Sequence, residues 1–144
     1  MEKLNNLKVF VVFGKCKEVK EDIVSFVRNL GAETIVLEEE TSGGKTIIEK
    51  LESAECDKAI IIMSGDDKVI SYRGSNQRKC PRQNVIFEYG YFVAKVGRNN
   101  TIVVKTKNAD LNLLSDCSGI CHIQYKKKSK TWQKQLRREL LCNL

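Results

Sequence analysis

The segment Arg82-Gln83-Asn84-Val85-Ile86-Phe87-Glu88-Tyr89-Gly90-Tyr91-Phe92 places one carboxylate in a helix that is otherwise apolar around most of its circumference. At about 100° per residue, Val85, Ile86, Tyr89, Phe92, Val93 and Val96 share one broad face, and Glu88 falls just outside it. Glu88 lies one turn from Asn84 and Phe92, between that face and a second apolar patch of Phe87 and Tyr91. A helix this apolar is expected to be covered on two sides. A carboxylate there is costly unless it is partnered or useful, and its pKa is open to the perturbation that catalytic carboxylates need. The competing reading is an exposed helix edge, or an ion pair with one of the arginines just before it. Spacing alone weighs the two evenly.

Other residues offer weaker chemistry. Asp66 and Asp67, in Ser64-Gly65-Asp66-Asp67, can bind ribose hydroxyls or a metal, or equally cap a turn. No third acidic ligand is close in sequence, so a metal is set aside. Arg73, Arg78, Lys79 and Arg82 are cations suited to a pyrophosphate, or a solvated loop surface. Tyr72 and Tyr91 can stack on a base, although Tyr91 is as readily core. Thr41-Ser42-Gly43-Gly44-Lys45-Thr46 is not a Walker A loop, because Glu39 stands where the first glycine belongs and Glu38-Glu39-Glu40 repels phosphate. Gly43 and Gly44 at a helix start can still hold an anion or flex; a plain turn with Thr46 near the cap is no less expected. Cys117-x3-Cys121-His122 lacks a second ligand pair at zinc spacing and is read as chance. His122 is too isolated for a Cys–His or Ser–His pair.

These residues need elements to position them, and the chain alternates regularly. Val9–Phe13 is a continuous apolar run, as expected of a strand buried on both faces. An amphipathic helix over Glu18–Leu30 follows, stopped by Gly31. Strands are predicted at Thr34–Leu37, Ala59–Met63, Thr101–Val104 and Ile120–Ile123. Helices are predicted at Thr46–Ala54, around Glu88 up to Gly97, and at Lys130–Leu141. Strands alternating with helices imply βαβ units and right-handed crossovers, hence an α/β, three-layer flavodoxin-like sandwich with a central parallel five-stranded sheet. Ligands sit beyond the carboxyl ends of such strands, beside the topological switch point. That rule selects Gly14-Lys15-Cys16, the segment Glu38–Lys45 and a long loop Ser64–Pro81.

A chain of 144 residues, 42% hydrophobic and 30% charged, is read as a single soluble domain over residues 1–144. No apolar run reaches membrane-spanning length and the N-terminus lacks the shape of a signal peptide, so no membrane partner and a cytoplasmic location are expected. Six cysteines are then expected to be reduced and, where buried, to act as small hydrophobes. The formal charge of +7 is uneven: residues 1–58 carry 9 Lys/Arg against 12 Asp/Glu, the remainder 16 against 6. Lys126, Lys127, Lys128, Lys130, Lys134, Arg137 and Arg138 supply much of the excess. Such a stretch can attract nucleic acid or an anionic nucleotide. No nucleic-acid motif accompanies it, so a solvated helix face is preferred and nucleic acid is not expected as a partner.

The chain resembles the bacterial TIR-like, predicted nucleotide-binding domains that serve as effectors in CBASS and Pycsar antiphage systems, as in TIR–STING proteins. The resemblance rests on Val9–Gly14, Gly43–Lys50, Asp66-Asp67, Leu114–Gly119 and, most specifically, Pro81–Phe92. It implies a TIR fold and NAD hydrolysis at the nicotinamide–ribose bond, with NAD as substrate and no further cofactor or metal. It makes Glu88 the catalytic glutamate and puts Gly43 and Gly44 in a loop that moves over the substrate. Phe13, Gly14, Asp66, Asp67, Arg82 and Asn84 become substrate contacts, Arg82 toward pyrophosphate and Asp66 or Asn84 toward ribose. Phe13 stands where the family often has histidine, leaving an aromatic ring to stack on a base. A second domain that family members commonly carry, a cyclic-nucleotide sensor such as STING, has no room here, so the expectation is a lone domain, a piece of a longer protein, or a partner to a separate sensor. Self-assembly through head-to-tail TIR–TIR contacts is a further implication. TIR domains also act as non-catalytic nucleotide-binding or scaffold modules, the alternative function.

Overall fold

The computed structural model describes residues 4–36, 47–70, 77–111 and 120–142. Along the chain run β1 (Lys8–Val12), α1 (Lys17–Asn29), β2 (Glu33–Val36), α2 (Ile47–Ser53), β3 (Lys58–Met63), β4 (Asp67–Ile70), β5 (Gln77–Cys80), α3 (Gln83–Val96), β6 (Thr101–Lys105), β7 (His122–Gln124) and α4 (Thr131–Leu141). Five strands form one parallel sheet in the order β2-β1-β3-β6-β7. The chain steps outward from β1 to β2 and then crosses back to β3, so the switch point lies between β1 and β3. This is the flavodoxin-like sandwich expected from the alternating pattern, and it agrees with the TIR fold that the resemblance implies.

Alternate residues of each central strand serve opposite layers, which is why those strands are apolar throughout. Val9, Val11, Ile60, Ile62, Ile102 and Val104 pack with Ile23 and Val27 of α1 and Trp132, Leu136 and Leu140 of α4. Phe10, Val12, Ile61, Met63 and Val103 pack with Leu51 of α2 and Val85 and Phe92 of α3. Gly31 and Gly97 end α1 and α3 at φ 97° and 92°, a left-handed conformation that glycine adopts without a Cβ clash.

Two lysines close helix ends, where the last carbonyls have no partner inside the helix. Lys95 Nζ donates to Leu51 O at 2.7 Å and Ala54 O at 2.5 Å, at the end of α2. Lys58, 1% exposed, donates to Glu139 O at 3.1 Å and Cys142 O at 2.5 Å, at the end of α4.

Two expectations are corrected. The stretch predicted as a polar loop, Ser64–Pro81, contains the antiparallel pair β4–β5, with Asp67 opposite Cys80 and Ile70 opposite Gln77. Gln77-Arg78-Lys79-Cys80 carries no apolar alternation to announce a strand. Its support is tertiary: Asp110 N donates to Lys79 O at 2.8 Å and the Asp110 carboxylate lies 3.7 Å from Arg78. The second correction concerns α3, which is covered on one side only. Val85 and Phe92 are buried, whereas Phe87 is 50% exposed. Tyr91 sits at the core edge, edge-on to Phe92 and beneath Lys95. No described helix is long and apolar enough to cross a membrane.

Candidate functional site

The loops leaving β1 and β3 meet at the switch point. A Cβ on Gly14 would fall 1.9 Å from Asp66 Oδ2 and 2.9 Å from its Cγ, so the approach requires glycine. Ser64, 3% exposed, donates Oγ to Asp66 Oδ1 at 2.7 Å, and Asp66 N donates back to Ser64 O at 2.9 Å. Asp66 Oδ2 is buried under Gly14, and among the described residues no donor reaches it. Asp67, the next residue, lies 3.4 Å from Lys15 Nζ. Three of the nominated substrate contacts, Gly14, Asp66 and Asp67, are thereby gathered within two short loops.

The other nominated residues separate by layer. Phe13 continues the alternation of Val9 and Val11 and packs against the α1/α4 core, with Lys20 Nζ 5.1 Å from its ring centroid. Arg82, Asn84 and Glu88 belong to α3, on the opposite face of the sheet. Arg82 is half-buried, and its extended backbone (φ −58°, ψ 142°) leads from Pro81 into the helix; the restricted φ of proline favours such an entry. Asn84 is exposed in the first turn. Glu88 is half-buried, three residues after Val85 and four before Phe92, both of which are buried. One helical turn on either side it therefore has an apolar neighbour anchored in the sheet. Gly43 and Gly44 lie outside the described residues, as do Tyr72, Arg73, Cys117 and the segment Leu114–Gly119.

A cavity of about 870 Å³ opens on the α1 side of the switch point, between the start of α1 and the carboxyl ends of β3, β6 and β7. Lys15, Lys107, Lys126 and Lys127 line it, with Asp66 and Tyr125. Of the nominated residues that are described, Asp66 alone takes part. Lys15, Cys16, Ser64 and Gly65 lie in loops that the carboxyl-end rule selects, and Lys126 and Lys127 in the basic stretch; Thr106, Lys107, Asn108 and Tyr125 carry no signal until the rule is extended past β3. Applied to β6 and β7, the same rule selects Thr106-Lys107-Asn108 and Tyr125-Lys126-Lys127. Tyr125 donates its hydroxyl to Asp22 Oδ2 at 2.7 Å; burial first, and then this bond, push its pKa well above the ordinary tyrosine value. Lys127 bonds Glu18 at the rim, which lowers the glutamate's pKa and raises the lysine's. Among the described residues no group of three or more His, Cys, Asp or Glu is arranged to hold a metal, and Cys121 and His122 are exposed.

The chain matches the family model for the CAP12/Pycsar effector protein TIR domain over residues 8–127. Protein tirC of Dictyostelium discoideum is 36% identical over 140 residues, which cover 90% of this chain and 70% of tirC. Uncharacterized protein YuaY of Escherichia coli (strain K12) is 33% identical over 135 residues, 92% of this chain and 44% of that protein. Pycsar effector protein PaPycTIR of Pseudomonas aeruginosa is 39% identical over 72 residues, 50% of this chain and 23% of its own length. The chain therefore spans less than half the length of YuaY and about a quarter of that of PaPycTIR. The parallel sheet, the loops meeting at its switch point and the match over residues 8–127 agree, and the chain belongs to the CAP12/Pycsar effector TIR-domain family.

Proposed function

We propose that this chain is a TIR-type NAD hydrolase that cleaves the nicotinamide–ribose bond, acting as an antiphage effector. The observation that carries the reading is Glu88: a half-buried carboxylate flanked by buried Val85 and Phe92, within the matched family region. The chemistry suits a single acid. Nicotinamide leaves NAD from a cationic state and departs neutral, so it needs no general acid. The group to be stabilised is the oxocarbenium ion developing on ribose, together with the adjacent hydroxyls. A carboxylate fixed in a poorly hydrated setting does this electrostatically. Arg82, one turn and a half earlier at the head of α3, is offered as the cation for the pyrophosphate.

Activation is assigned to assembly or to a cyclic-nucleotide-sensing partner, in keeping with relatives named Pycsar effectors. The test is nicotinamide release from NAD by concentrated protein, compared with Glu88→Gln. Loss of one preorganised electrostatic group is expected to lower turnover by roughly 10²–10³-fold. Equal release by both proteins would remove Glu88 from the chemistry. Saturable NAD binding without release, in assembled protein supplied with cyclic nucleotide, would favour the non-catalytic nucleotide-binding module instead.

A further inference from the structure

We propose that the cavity on the α1 side of the switch point is a second ligand site, separate from Glu88, which takes a phosphorylated small molecule of nucleotide size by its phosphates. The proposal does not depend on NAD hydrolysis. Its volume of about 870 Å³ lies within the range of small-molecule sites and well beyond what a phosphate group alone would fill.

Four lysines line it, from segments far apart in sequence. Lys15 and Lys127 are held at the rim by Asp67 and Glu18, in exposed pairs that a competing anion can displace. Lys107 and Lys126 have no carboxylate within ion-pair distance among the described residues. They are the uncommitted cations of the cavity.

Polar side chains held by hydrogen bonds stand among its lining residues. Ser64 and Thr106 are 3% and 8% exposed. Asn108 Oδ1 accepts from Gly65 N at 3.2 Å and from Thr106 Oγ1 at 2.5 Å, which commits the amide oxygen and leaves the Nδ2 donors for a ligand oxygen. The first turn of α1 adds its dipole: Cys16 supplies no side-chain cap, and Cys16 and Val19 face the cavity.

The acidic groups nearby have occupations of their own. Asp66 is held by Ser64, Asp22 by Tyr125, Asp67 by Lys15 and Glu18 by Lys127. Displacing two rim pairs makes binding salt-sensitive. A concave, lysine-lined cavity suits a compact anion, whereas a polymer backbone is met by a stripe of charge along a surface.

The molecule carries its own reporter. Tyr125 lines the cavity and its ring centroid lies 5.3 Å from that of Trp132, the chain's one tryptophan. ADP and inorganic pyrophosphate are the probes, titrated against Trp132 fluorescence and by calorimetry. Saturable binding of ADP is expected, tighter than that of pyrophosphate, and Cys16 should be protected from alkylation while Cys121 is not. Lys107→Ala/Lys126→Ala should weaken ADP by at least about tenfold with an unchanged melting temperature, and Lys107→Arg/Lys126→Arg should retain binding. Lys134→Ala, on the exposed face of α4, should bind ADP as the wild type does.

An absence of saturable binding, or equal affinity in wild type and the alanine pair, would overturn the site. Binding lost in Arg82→Ala but kept in the alanine pair would move the phosphates to α3 and overturn it as well. Equal affinity for ADP and pyrophosphate would overturn the nucleotide-sized ligand.

Discussion

Lys58→Met tests whether a buried ammonium holds α4 on the sheet. The substitution keeps an unbranched apolar stem and removes the charge that reaches Glu139 O and Cys142 O. Two charge-assisted hydrogen bonds are worth roughly 1.5–3 kcal/mol each, and a cation at a helix C-terminus adds about 0.3–1 kcal/mol. Desolvation opposes them. Burial is the largest influence on Lys58 and draws its pKa below the ordinary 10.5, ahead of the opposing fields of Cys142 and Glu139. The net effect therefore falls well short of the gross sum, and we expect the variant to lose about 2 kcal/mol, a melting temperature lower by about 4–8 °C. Trp132, buried in the first turn of α4, reports the transition by fluorescence. A second signature follows from the direction of the pKa shift. The unfolded chain holds the Lys58 proton more tightly than the folded chain does, so the advantage of wild type over Lys58→Met grows with pH across the window below 10.5. A variant as stable as wild type, or more so, at neutral pH would refute the reasoning, because burial of the charge would then outweigh both bonds.

Gly14→Ala should destabilise by about 1–3 kcal/mol through overpacking against Asp66, and Asp66→Ala in the same chain should restore most of it; a neutral single variant in urea unfolding would count against the contact. Lys95→Met removes donors to the end of α2, with an expected cost of about 1 kcal/mol; hydrogen exchange should quicken in α2 while the amides of α3 hold, and uniform exchange in both helices would deny a local role. Tyr125→Phe removes a phenol whose proton the folded state holds more tightly than the unfolded. Its contribution is thus complete below the ordinary tyrosine pKa of about 10 and is lost as pH rises through the folded value. The stability gap between wild type and variant should be level at neutral pH and shrink above about pH 10; a gap constant into that range would be the wrong outcome.

Much of the fold was legible because two-sided burial leaves a plain mark. β1, β3 and β6 must face a helix layer on each side, so their residues are apolar without alternation, and the helices between them carry one apolar stripe each. The β4–β5 pair left no such mark, since its partner contacts come from Asp110, distant in sequence. Glu88 was conspicuous as an acid in an apolar helix, but the layer of Phe13 depended on strand phase: Val9, Val11 and Phe13 share the face away from α3. The basic run after β7 was read as one feature and is two. Lys126 and Lys127 line the cavity with Lys15 and Lys107, while Lys134, Arg137 and Arg138 belong to the exposed face of α4. Only the parallel sheet, which sets the carboxyl ends of β1, β6 and β7 on one side, brings those lysines to one cavity.

The contact between Gly14 and Asp66 also bears on how this sequence can drift. A side chain at position 14 meets the Asp66 carboxylate, which must shift or give way to a smaller residue, so filling position 14 first passes through a strained intermediate. The two positions should therefore change as a pair across relatives, with glycine at 14 wherever a branched acid occupies 66. Descent would then record a steric contact between two loops that lie 52 residues apart.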